Sequence, residues 1–323
     1  MDGTLYGDTK LYYDCDVLQT HEFAIDAEGR KVEAKNLLDC DFPVSPEVQA
    51  ITLDTFRQIR ITLENYATKR AWMNEGNFRD FNSVMLKMVR DTKKVYDSTI
   101  YNTFIGTNET NIGEQNLTIP TAGEGQNDAL IMAEYLANLL VRLQDVSREY
   151  NDNEFLKSFD EGDLMVIWSA EKYNSLKKVD LPVIFGREGL MTEFDQVVLP
   201  SRYFGKVAGT SSSTLITGGD KEYRSLVEKD VALTDGGSKH LYPGDLIPTG
   251  SKFPSNECYE VDDTIAFKLI HKKSVPYMSA FEVATSFTNP RSLTENHYLT
   301  FGHNSLQHLM GYPFITVRYN DAD

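Results

Sequence analysis

Asp160, Glu161 and Asp163 are the first residues to weigh for chemistry, because neighbouring carboxylates held in different environments can act as the general acid and base of a hydrolase. Such work needs a closed pocket, and holding a divalent cation needs a regular ligand spacing such as the EF-hand's. The sequence displays neither around these acids, nor around Asp14 with Asp16 or Asp262 with Asp263. In a chain of net charge −16, solvated loop acids are the default. The six histidines, His21, His240, His271, His297, His303 and His308, form no H-E-x-x-H, and His303 and His308 are spaced wrongly for one helical face. Surface or hydrogen-bonding roles are expected of them rather than metal ligation.

Gly209 to Lys221 is rich in glycines and hydroxyls that could cradle a phosphate, but Gly219 is followed by Asp220 where a P-loop needs G-K-[ST]. A surface loop is the better reading. No nucleophile elbow or dinucleotide fingerprint occurs. Cys15, Cys40 and Cys258 are odd in number and lack C-x-x-C spacing, which favours packed thiols over disulfides or zinc. The N-x-[ST] matches at Asn108 and Asn116 carry no weight without a secretory signal, and Met1 to Tyr13 does not read as one. No cofactor or metal site is expected.

The elements that would position chemistry read instead as scaffold. Asp16 to Ile25 and Lys31 to Leu38 are strand-like about a turn at Gly29, and Ile59, Ile61 and Leu63 alternate with polar residues in a further half-exposed strand. Together they suggest an extended arm. A long helix follows from Asn77 to Phe104, about 40 Å at 1.5 Å per residue, with Phe78, Phe81, Met85, Met88, Val95, Ile100 and Phe104 as its inward stripe. Asn127 to Lys178 then runs helix, apolar strand, helix. The first helix carries Met132, Tyr135, Leu136, Leu139, Leu140, Leu143 and Val146 inward, the strand is Leu164 to Trp168, and the second helix turns Tyr173 and Leu176 inward. Glycines and prolines break Leu181 to Val261 into short β pieces, and Thr264 to His271, Tyr277 to Phe287 and Phe314 to Tyr319 read as longer strands.

Composition sets further bounds. With 323 residues, 41% hydrophobic and 25% charged, the chain can bury a sizeable core of roughly two domains by length. Its negative charge disfavours a role that grips phosphate backbones, which depends on clustered Lys and Arg. No apolar run approaches the roughly 20 residues of a membrane span, so a soluble protein of a cytosol-like compartment is expected.

Arm, long helix, and then helix, buried strand and helix, in that order, resemble the major capsid proteins of tailed bacteriophages. D-L-M-V-I-W-S-A-E-K-Y-N-S-L at Asp163 to Leu176 is similar to that family's apolar strand ending in a small polar residue before a helix. V-V-L-P-S-R-Y-F-G at Val197 to Gly205 resembles the return of its axial domain, and Ala280 to Gly302 resembles a stretch of the capsid proteins of small short-tailed phages. The resemblance implies an α+β, Hong Kong 97-type (HK97-like) capsid fold. It would comprise an E-loop arm and N-terminal segment at 1–75, spine helix and peripheral-domain strands at 76–126, axial domain at 127–280, and a C-terminal return at 281–323.

It further implies a structural protein, not an enzyme, that assembles with itself into the pentamers and hexamers of an icosahedral shell around packaged double-stranded DNA. Portal, scaffolding or decoration proteins would be its further partners, with no specific nucleic-acid recognition and no membrane. It would reside in the virion capsid and assemble in the host cytoplasm. Phe23, Ile25, Ile59 and Ile61 on the arm are the candidate inter-subunit contacts, since a lone subunit would leave them exposed. Asp16 follows so closely on the start that no long N-terminal arm is expected before it, and no residue pair suggests covalent cross-linking. Two rivals stand beside this reading: a tail or receptor-binding structural protein, suggested by the glycine-punctuated β segment, and a hydrolase using Asp160, Glu161 and Asp163.

Overall fold

The structure, a computed structural model, describes residues 8–18, 20, 45–64, 75–120, 128–178, 195–209, 214–216, 221–233 and 236–319. In chain order it runs β1 (Thr9–Asp14), β2 (Glu47–Leu63), α1 (Glu75–Thr107), β3 (Asn116–Ile119), α2 (Asp128–Gln144), β4 (Leu164–Ser169), α3 (Ala170–Lys178) and β5 (Asp195–Leu199). Seven short strands follow: β6 (Gly205–Val207), β7 (Thr214–Leu215), β8 (Tyr223–Ser225), β9 (Lys229–Ala232), β10 (Ser238–Leu241), β11 (Lys252–Phe253) and β12 (Cys258–Val261). The chain closes with β13 (Ile265–His271), β14 (Ser279–Asn289), β15 (Thr294–Asn304) and β16 (Phe314–Tyr319). The hairpin expected between Asp16 and Leu38 lies almost wholly outside the described residues.

A five-stranded sheet in the order β3-β16-β13-β4-β5 forms the centre of one half. Alternation along β4 sends Leu164, Val166 and Trp168 to one face, where they meet Leu136, Leu140 and Leu143 of α2, and sends Ile167 to the other, against Ile105 of α1. Both faces are covered, which is why β4 and β13 are near-continuous apolar runs rather than alternating ones. Val146, expected on the α2 stripe, lies beyond the end of that helix and is exposed, because the chain has already turned away. The described residues of 205–261 form three small sheets, β6-β12-β8, β9-β10 and β7-β11, over their own cluster of Ile216, Leu241, Ile247 and Phe253.

In the other half a four-stranded antiparallel sheet, β1-β2-β15-β14, packs on α1. β1 is an addition to the sequence reading, and Ala280 to Gly302 proves to be the hairpin of β14 and β15, turning at Pro290 to Leu293. Helix α1 is 33 residues long. Its inward face is Phe81, Met85, Val89, Tyr96, Ile100 and Thr103, at steps of about four and seven residues, whereas the expected Met88 and Val95 are 53% and 50% exposed. Val84 and Leu86 are exposed as well. Apolar residues surround much of this helix, so their types alone do not pick the buried face; the position of the sheet does.

Candidate assembly surface

Odd-numbered residues of β2 point inward, Ile51 against Met278 and Leu309 and Ile59 against α1. Ile51, Leu53 and Leu63 are buried, and Ile59 is half-buried against Tyr96, Leu299 and Phe301. Much of the apolar surface expected to await a neighbour at Ile59 is therefore covered within the subunit. Ile61 is also half-buried, and Phe23 and Ile25 lie outside the described residues.

The even-numbered residues of β2 make the outer face, and sequence reasoning missed it. Phe56 there is 59% exposed and stacks on Phe281. Register places Gly302 of β15 between them, with Val283 and Phe287 further along β14, both exposed. Leu11, Tyr13 and Val48 continue the apolar character toward β1. The period-two alternation of 281–287 carried this signal, but it gives no sign of which face the helix covers. One face of this sheet thus lies on a helix, while the other carries exposed aromatic and aliphatic side chains.

Asp14 and Asp16, expected to be solvated, instead strap the N-terminal segment to the other half of the subunit. Lys157 Nζ donates to both Asp14 oxygens at 2.6 and 2.7 Å and to the Gly311 carbonyl at 3.0 Å, while Asn153 donates to Asp14 at 2.8 Å. Asp16 accepts from the Leu156 backbone N–H at 2.9 Å and from Arg148 at 2.6 Å. Those two bonds hold its carboxyl below the usual carboxylate range.

The candidate catalytic acids are not drawn into one closed site. Glu161 accepts from Gln144, and Asp160 and Asp163 line a groove of about 330 Å³ beside β1 together with Lys157 and His271. The histidines make hydrogen bonds and ring contacts. His303 is buried, bonded to the Tyr96 hydroxyl at 3.0 Å and the Asn304 carbonyl at 2.9 Å. His308 joins Asp152 at 2.7 Å, and His271 stacks on Tyr312 with its pKa lowered by burial. His240 lies between Asp230 and Glu228, at 2.7 and 3.0 Å, and those bonds raise its pKa, that to Asp230 foremost. His297 stands near Glu295, and His21 lies outside the described residues. Among the described residues no group of His, Cys, Asp and Glu is placed to hold a metal ion, and no helix is long and apolar enough to cross a membrane.

One buried charge escaped the sequence reading. Lys268 of β13 is fully buried and donates to the Asn108 carbonyl just past the end of α1 at 2.7 Å. Burial is the chief cause that lowers its pKa to about 7, partly offset by Glu109, and Arg318 pairs with both Glu109 and Asp262 beside it. The cluster pins the C-terminal end of α1 to the five-stranded sheet.

A family model described as Phi29-like phage major capsid protein matches residues 16–305. Among solved structures, the capsid of Staphylococcus phage Andhra contains a chain similar at a TM-score of 0.63 and 12% identity, covering 98% of this chain and 81% of that one. A chain in the structure of the head fiber and inner core protein gp22 of native bacteriophage P68 gives 0.62 and 13%, covering 98% and 82%. The capsid of cyanophage P-SCSP1u gives 0.53 and 10%, covering 99% and 86%. At such identities the likeness is one of fold. No curated protein sequence matches the chain.

Proposed function

The chain belongs to the Phi29-like phage major capsid protein family, and from that membership we propose that its subunits close into the pentamers and hexamers of an icosahedral shell around packaged double-stranded DNA. It has the α+β, HK97-like fold of phage capsid subunits and is a structural subunit of the virion shell that assembles with copies of itself.

In this reading β2 is the returning strand of the E-loop arm, α1 the spine, the four-stranded sheet the peripheral domain, and the five-stranded sheet with the small sheets after it the axial domain. The axial assignment takes in β3, because that strand pairs in parallel with β16. The observation that carries the reading is β2. It is 17 residues long, its inner face is packed on the spine and its outer face is aromatic and uncovered. The arm that precedes it, with Phe23 and Ile25, lies over a neighbouring subunit that also meets the open side of Ile61 in β2, and strand pairing and apolar burial there hold the ring together. A wall of net charge −16 per subunit keeps the packaged genome from adhering.

We assign the protein no reaction of its own; the placement of Asp160 and Asp163 along an open groove, with Glu161 bonded to Gln144, favours structural acids. Portal, scaffolding or decoration proteins are the partners such a shell would engage, and the host cytoplasm is where it would assemble. Negative-stain microscopy of the purified protein tests the reading. Rings or closed shells are expected, and deletion of 19–44 should abolish them. A stable monomer at high concentration, indifferent to that deletion, would refute it.

A further inference from the structure

Strand β14 is an edge. β15 pairs with one side of it from Ser279 to Asn289, and among the described residues no strand pairs with the other. The edge is 11 residues long, and 281–288 are all exposed. Natural edges are guarded by proline, by a mid-strand bulge or by free charges. Here the single charged side chain, Glu282, is already held by Lys93 at 3.2 Å, and the one irregularity lies at the end, between Ser279 and Phe281. An unguarded ladder of this length is a template for another strand.

The residues along it indicate which strand. F-E-V-A-T-S-F, Phe281 to Phe287, reads nearly the same in both directions about Ala284, with Phe at both ends and the similarly shaped Val283 and Thr285 flanking the centre. Laid antiparallel against a second copy about a two-fold axis through Ala284, Phe281 faces Phe287 of the partner subunit, and Val283 faces Thr285 of the partner subunit. All four lie on the outer face that Phe56 shares, so two aromatic cross-strand pairs flank the axis. On the other face Glu282 meets Ser286 of the partner subunit rather than a like charge. The contact is self-complementary, as a two-fold interface requires. The opposite edge, β1, is 6 residues long and would leave much of β14 unpaired.

We propose that β14 pairs antiparallel with β14 of a second copy about a two-fold axis at Ala284, joining two peripheral sheets into one across a subunit boundary. The proposal rests on the shell reading above, and its test separates the two. Assembled particles carrying Ala284→Cys in a Cys15→Ser, Cys40→Ser background are oxidised and run on a non-reducing gel. The expected result is conversion of most of the chain to a covalent dimer. Phe281→Cys alone should stay monomeric, because its two copies would lie about 20 Å apart, six residues along a strand. Particles mixing Phe281→Cys with Phe287→Cys subunits should cross-link. Closed particles in which neither Ala284→Cys nor the mixture cross-links would overturn the pairing. Failure of the unsubstituted protein to form any ring or shell would instead overturn the shell reading, and this inference with it.

Discussion

Phe56 and Phe281 lie face to face above Gly302, with ring centroids 6.0 Å apart and planes 19° apart. The two rings come from strands that are not neighbours, and only the missing side chain on the strand between lets them meet. A Cβ on Gly302 would stand 3.0 Å from Phe56 Cδ1 and 3.2 Å from Phe281 Cε1. Gly302→Ala should therefore part the rings. Because both are exposed and can rotate away, the cost should be about 1 kcal/mol, seen as a fall in Tm of about 2 °C. Particle yield should fall more than stability does, since the rings form the outer face. An unchanged melting curve together with an unchanged yield would show that the pair is incidental.

Gly106 sits near the end of α1, where alanine would ordinarily favour the helix by up to about 1 kcal/mol. Here a Cβ would overlap the Tyr203 carbonyl oxygen and lie 2.6 Å from its carbon. Backbone cannot rotate aside, so Gly106→Ala should cost about 3 kcal/mol. Urea unfolding checks this, and a stabilised variant would mean that α1 does not press on the 201–203 turn.

Lys268 makes stability depend on pH with a definite sign. Its folded pKa is lowered to about 7 from an ordinary 10.5, so between those values the unfolded chain binds the extra proton. Its contribution must then rise with pH across that window and level off below about pH 7. Cys258 and the buried tyrosines, whose pKa values are raised, pull stability down from about pH 9 upward. The clean measurement is therefore the difference between the unsubstituted protein and Lys268→Met at pH 7 and pH 9. That difference should shift in favour of the lysine as pH rises, and a constant difference would place the lysine's proton elsewhere.

Lys157 holds Asp14 at 2.6 Å, with both side chains 23% exposed. Lys157→Met should cost about 1–2 kcal/mol, since it leaves a half-buried carboxylate with only Asn153 and an unbonded Gly311 carbonyl. Hydrogen exchange should locate the effect. Amides of Thr9 to Asp14 should lose protection while those of α2 keep theirs. Equal loss in both would mean that the strap is not a separate latch.

The Asn127 to Lys178 run was legible because its chemistry is local. Met132, Leu136 and Leu143 recur at helical spacing, and an apolar run as dense as Leu164 to Trp168 has nowhere to go but a sheet covered on both faces. The order of a long helix and then a helix, a buried strand and a short helix was likewise readable from periodicity and punctuation. β1 was not, because T-K-L-Y-Y-D becomes a strand only when Glu47 to Thr52 lies beside it. The buried face of α1 was misjudged at Met88 and Val95 for a related reason. A helix apolar on several sides has no preferred face until a sheet approaches.

The sequence by itself therefore determined the long helices, the buried strands and their order, β1 aside, since propensity and periodicity act over a few residues. Tertiary structure alone decided where β14 and β15 went, beside β2 rather than in the five-stranded sheet, and so which aromatic residues face outward. It also brought Asp14 to Lys157 and Lys268 to Asn108, pairs 143 and 160 residues apart. Those contacts depend on how whole elements pack, and no local spacing encodes a partner that far along the chain.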